Sequence, residues 1–147
     1  MKAEIIDDVR YAKPRFALDR RLILGVLAQL RRPCELGEGG PGGWRTLREP
    51  GIELPEAREF SPDVAGWRRG QLPDLPDDAP LVVLPDWVCE TGSRRTRAYD
   101  LHVKRAFCAR TGVGQSVSGG TTTRCAPIPF EAVEIDLAAQ WPEPLEE

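Results

Sequence analysis

Two acids stand where an apolar strand should carry none. Asp63 interrupts FSPDVAGW, and Glu90 closes LPDWVCE. A carboxylate in such a place loses solvation unless something compensates it. Two such strands side by side would bring both carboxylates to one edge of a sheet. Hard cations such as Mg²⁺ take oxygen ligands, typically one or two carboxylates plus waters and substrate phosphate. One metal ion or a pair held there could activate water and neutralise charge on a phosphodiester in transfer. A positioned lysine would stabilise the developing charge further. A cationic segment does follow Glu90, with Arg94, Arg95, Arg97 and Lys104. Taken singly, each residue has a plainer reading. Asp63 reads as a turn aspartate after Pro62, Glu90 as a solvated strand end, and Lys104 as one half of an exposed ion pair with Asp100. The arginines read as a surface run or as a phosphate-facing patch.

The elements that must position these groups follow from pattern. EIIDDVRYA, from Glu4, predicts strand, turn and strand with Asp7-Asp8 at the turn. Leu22, Ile23, Val26, Leu27 and Leu30 recur three and four apart, the stripe of an amphipathic helix. Arg31 and Arg32 suit its C-terminal dipole, and Pro33 is expected to stop it. GEGGPGGW is a flexible loop without the Lys-Ser/Thr pair of a phosphate-cradling one. WRTLREPGIELP predicts a strand broken at Pro50-Gly51, Phe60 to Trp67 another, and Asp86 to Glu90 a third. Thr96 to Arg110 predicts a helix capped by Gly112. GQSVSGGTTTRCAP has no usable periodicity and reads as loop; FEAVEIDLAAQW predicts a terminal helix. This order predicts one α/β domain over residues 1–147, bordering on α+β.

Composition bounds the rest. A chain of 147 residues builds one hydrophobic core. A net charge of −3 argues against a general nucleic-acid coat but leaves a local basic patch open. No signal peptide is recognisable and no apolar run is long enough to span a membrane. Cys34, Cys89, Cys108 and Cys125 form no CxxC pair, so they are expected to be free thiols in a reducing cytoplasm. A zinc site from Cys89, His102, Cys108 and Cys125 resembles no metal framework. His102 is given no catalytic role, Trp67 and Trp87 are assigned to the core over base stacking, and Glu4 to the hairpin surface over an extra metal ligand.

EIIDD, GPGGW, PDVAGWRR, LPDWVCE, S-x-x-T followed by AYDLHVKRAFCARTGV, and FEAVEIDLAAQW together resemble the Uma-two family. These are restriction-endonuclease-like proteins of the PD-(D/E)XK nuclease superfamily, and the likeness runs with gaps from Glu4 to Trp141. It implies a central mixed sheet flanked by helices and Mg²⁺- or Mn²⁺-dependent cleavage of DNA. By motif, Asp63 and Glu90 would bind metal as the acid pair. The superfamily's lysine sits two residues after the second acid, on the same strand face; that position is Gly92. The family's pattern moves the cation to the following helix, at Lys104, with Asp100 orienting it. Ser93 and Thr96 match polar positions of the family's turn, and a homodimer is implied by the likeness alone.

Cys108 stands where the family has a tyrosine. The family's strand after Gly-Val, and the hairpin beyond it, have no counterpart in GQSVSGGTTTRCAPIP, which implies a shortened C-terminal part of the sheet. Two functions therefore stay open: a metal-dependent endonuclease using Asp63, Glu90 and Lys104, or a catalytically inactive nuclease-like domain serving as a binding or oligomerisation module. A thiol or zinc protein is a third reading, with only scattered cysteines behind it.

Overall fold

The structure, a computed structural model, describes residues 1–14, 16–91, 100–118, 124–125 and 135–136. Strands β1 (Lys2–Ile6) and β2 (Val9–Lys13) form the expected hairpin, in register Lys2 with Lys13 and Glu4 with Tyr11. Both turn residues, Asp7 and Asp8, have positive φ (51° and 62°). That backbone twist suits a two-residue hairpin, and aspartate tolerates it better than most residues. Arg110 grips the Asp7 carboxylate through both oxygens, at 2.9 and 2.8 Å. Alternation along β1 buries Lys2, Glu4 and Ile6 on one face. On its other edge, the Ile5 amide donates to the Glu59 carbonyl at 2.8 Å.

Helix α1 (Ala17–Leu30) buries Leu22, Ile23, Val26 and Leu30, the predicted stripe. Pro33 does not stop it. The chain continues as a π-helical turn over Arg31–Glu35, with the Leu36 amide donating to the Arg31 carbonyl at 3.1 Å. Widening the hydrogen-bond ladder accommodates a residue that has no amide proton of its own.

A four-stranded mixed sheet follows, in the order β3 (Trp44–Arg48), β4 (Val64–Arg68), β5 (Trp87–Thr91), β6 (Gly114–Ser118). The first three are antiparallel, and β6 runs parallel to β5. Both faces are covered. Ala65, Trp67 and Val88 pack with Ile6, Phe60, Phe107 and Cys108, while Val64, Trp87 and Cys89 pack with Ile23, Val26 and Leu30 of α1. The core assignments of Trp67 and Trp87 hold, since both are fully buried. A second π-helical turn, Asp100–Lys104, leads into α2 (Arg105–Thr111), which Gly112 ends in the left-handed conformation as expected.

Several boundaries differ from expectation. The Phe60–Trp67 strand begins only at Val64, and the Asp86–Glu90 strand is shifted by one residue. The larger correction is at Gly114–Ser118. Read as loop, it is a strand whose pairing sets Val117 opposite Glu90. Its stability comes from backbone bonds to β5, which side-chain periodicity does not report. Ile135–Asp136, expected within a helix, forms strand β8 against β7 (Arg124–Cys125). Strand β6 therefore fills the place beside β5 that was expected to be empty. Gly92, Ser93, Arg94, Arg95, Thr96 and Arg97, and the rest of the expected terminal helix, lie outside the described residues.

Candidate active site

Asp63 directly precedes β4, and Glu90 is the fourth residue of β5. The antiparallel register pairs Val64 with Cys89, so one further step sets Asp63 opposite Glu90. The two strands are thus neighbours, and both acids reach the same end of the sheet, as anticipated. Lys104 reaches them from the turn before α2. Its Nζ lies 2.7 Å from Glu90 Oε1 and 2.9 Å from Glu4 Oε2. It does so as a fully buried residue, not as the exposed partner of Asp100, whose side chain lies outside the described residues.

The hairpin supplies three groups that sequence reasoning left out of the site. Glu4, assigned to the surface, is buried; its Oε1 accepts the Ser61 amide at 2.8 Å while Oε2 holds Lys104. Lys2 donates to Asp63 Oδ1 at 3.1 Å. Lys13 Nζ stands 3.8 Å from Asp63 Oδ1 and 3.7 Å from Glu90 Oε2. The signal available was the alternation Lys2, Glu4, Ile6, which puts charged residues on the same face as a core isoleucine. Thr91 completes the set, donating its amide (2.8 Å) and hydroxyl (3.0 Å) to Asp63 Oδ2.

Asp63 is anchored through both oxygens, Oδ2 by Thr91 and Oδ1 by Lys2, and Oδ1 also faces Lys13. Glu90 is fixed through Oε1 by Lys104, and its buried Oε2 makes no hydrogen bond among the described residues. The electrostatics separate the two. Burial pushes the Asp63 carboxyl up, but Lys2, Lys13, Lys104 and the Thr91 amide outweigh it and hold the group well below the ordinary carboxylate range. Burial dominates at Glu90, raising it to about 8; the Asp63 charge adds to the rise while Lys104, Lys2 and Lys13 oppose it.

A small cleft of about 20 Å³ opens on this end of the sheet, lined by Lys2, Lys13, Asp63, Glu49, Asp19 and Arg20 among others. That is room for a water-sized particle. Among the described residues no three His, Cys, Asp or Glu side chains gather to hold a metal. A magnesium-type ion needs fewer, since it keeps several waters and relies on one or two carboxylates plus substrate phosphate. Asp63 Oδ1 and Glu90 Oε2 are hard oxygen donors converging on one position, and among the described residues the latter has no hydrogen-bond donor. The donor set fits such a cation.

Among the described side chains the cysteines do not offer a second site. Cys89 lies on the α1 side of the sheet and Cys108 on the opposite side, while His102 is exposed. Burial pushes the Cys34 thiol up to about 11 and the Cys108 thiol to about 12, so both stay protonated at neutral pH.

A family model, Uma2, described as "Putative restriction endonuclease", matches residues 2–116. The chain belongs to the Uma2 family. Every member of the cluster, from Lys2 to Lys104, falls inside the Uma2 span. The chain is also similar to a crystal structure described as a "putative nuclease belonging to DUF820" from Anabaena variabilis. The TM-score is 0.71 at 12% identity, over 94% of this chain and 88% of that one. At that identity the likeness shows the fold. No curated protein matches the chain.

Proposed function

We propose that the chain is a metal-dependent endonuclease that hydrolyses DNA phosphodiesters, with Asp63 and Glu90 as ligands of Mg²⁺ or Mn²⁺ and Lys104 as the cation of the trio. The observation that carries this reading is the convergence of Asp63 Oδ1 and Glu90 Oε2 on a single cation position. Membership of a family described as restriction-endonuclease-like supports the substrate class. When bound, the metal would supply an activated water and charge neutralisation on the phosphate. The chain's own residues do the positioning. Thr91 orients Asp63, and Lys104 orients Glu90 while balancing its charge. Glu4 in turn holds Lys104, so the ammonium is aimed from two sides. The cleft lining sets Lys2, Lys13 and Arg20 against Asp19, Glu49 and Asp63, so a phosphate would be received there together with a metal ion that offsets the acids.

The inactive-module reading leaned on a missing strand beside β5. Strand β6 occupies that place, so the argument no longer favours it. The test is wild-type protein on plasmid and single-stranded DNA. Cleavage is expected with Mg²⁺ or Mn²⁺, lost on adding a chelator and regained with excess metal. Cleavage indifferent to the chelator would remove the metal from the proposal.

A further inference from the structure

The lysine that marks the cation position is part of the chain. Lys13 Nζ lies nearly equidistant from Asp63 Oδ1 and Glu90 Oε2, at 3.8 and 3.7 Å, beyond hydrogen-bond reach of both. The other two lysines are locked differently. Lys2 donates to Asp63 at 3.1 Å and Lys104 to Glu90 at 2.7 Å, each with a side chain 3% exposed or less. The Lys13 side chain is 14% exposed and lines the cleft, at the last position of β2 before Pro14.

We propose that Lys13 is a tethered occupant of the metal position, holding the Asp63–Glu90 pair closed until a divalent cation displaces its ammonium into the cleft mouth. This rests on the metal reading of the site given above. The charge balance explains why such a residue is useful. Lys13 puts one positive charge beside both acids of the pair, in the place a divalent cation would take. Remove Lys13 and Glu90 Oε2, which has no hydrogen bond among the described residues, loses a positive charge 3.7 Å away. A buried carboxylate oxygen in that state binds a cation more avidly, because desolvation has already been incurred. With Lys13 present, an entering cation must first break that lysine's ionic contacts to Asp63 and Glu90 and expel a like charge. Half-occupancy therefore needs a higher metal concentration than the bare acid pair would. Lys2 and Lys104 are too enclosed to leave, so they stay as the site's permanent cations.

The test is direct binding of Mn²⁺ to full-length protein, without DNA, followed by electron paramagnetic resonance of the free ion. Lys13→Met is expected to bind Mn²⁺ about ten- to hundredfold more tightly than wild type, the effect of removing a like charge at this distance. A second readout uses the wild type alone. Acetylation of Lys13 by an amine-reactive ester, followed by mass spectrometry, is expected to accelerate on adding Mn²⁺ while Lys2 and Lys104 stay protected. Equal affinity in wild type and a folded Lys13→Met, or Lys13 labelling indifferent to bound Mn²⁺, overturns the displacement. Absence of Mn²⁺ binding in both proteins overturns the metal reading itself, a separate outcome.

Discussion

The ionic cluster is built from carboxylates with divided duties. Glu4 shows this most clearly, with Oε1 taking the Ser61 amide and Oε2 taking Lys104. Removing one partner of a buried ion pair leaves the other charge uncompensated. Glu4→Ala is accordingly expected to lower stability by about 3 kcal/mol, read by urea unfolding at neutral pH. The same substitution on the exposed hairpin surface first assigned to Glu4 would cost almost nothing. Glu90 adds a dependence on pH. Burial leads the forces that raise its carboxyl to about 8, above the value it has in an unfolded chain. The native state therefore keeps a proton that the unfolded state has released, and stability falls as pH rises between the two values. Wild type should lose stability relative to Glu90→Gln from about pH 5 to about pH 8, then run parallel to it. Chemical denaturation of the metal-free proteins across that range checks the sign. A difference that grows as the pH falls would contradict it.

At the scale of elements, β5 is the strand that everything else positions. It carries Glu90 and Thr91, receives β4 on one side and β6 on the other, and buries all five of its residues. Truncation after Gly112 removes β6 and uncovers one edge of β5. The truncated chain is expected to lose its cooperative thermal melt, followed by circular dichroism, and a cooperative melt near the wild-type temperature would show that β6 is dispensable. This strand also marks where the sequence stopped being legible. GQSVS has one large apolar residue, so neither period 2 nor period 3.6 stands out, and its pairing is specified by its parallel neighbour. The α1 stripe and the Asp7-Asp8 turn were legible because local chemistry decides them. Lys2, Glu4 and Lys13 were not, because charged residues in a short hairpin look solvated until another element closes over them. Asp63 and Glu90 were visible for the opposite reason, as acids embedded in apolar strands.

For the whole molecule, a sheet covered on both faces holds two acids at one end, with the hairpin and the turn before α2 closing cations around them. Among the described residues no helix is long and apolar enough to cross a membrane. The arrangement matches the fold of a protein described as a putative nuclease, and the cluster lies within the Uma2 span. The central claim is that Asp63 and Glu90 together hold the metal that cuts DNA. Its most direct test is supercoiled plasmid incubated with Mn²⁺ and wild type, Asp63→Ala or Glu90→Ala, each first shown to be folded. The account predicts nicked and linear products with wild type and at least about a hundredfold less with either variant, the scale on which loss of a metal ligand or a charge-stabilising group acts. Cleavage at the wild-type rate by both folded variants would contradict it.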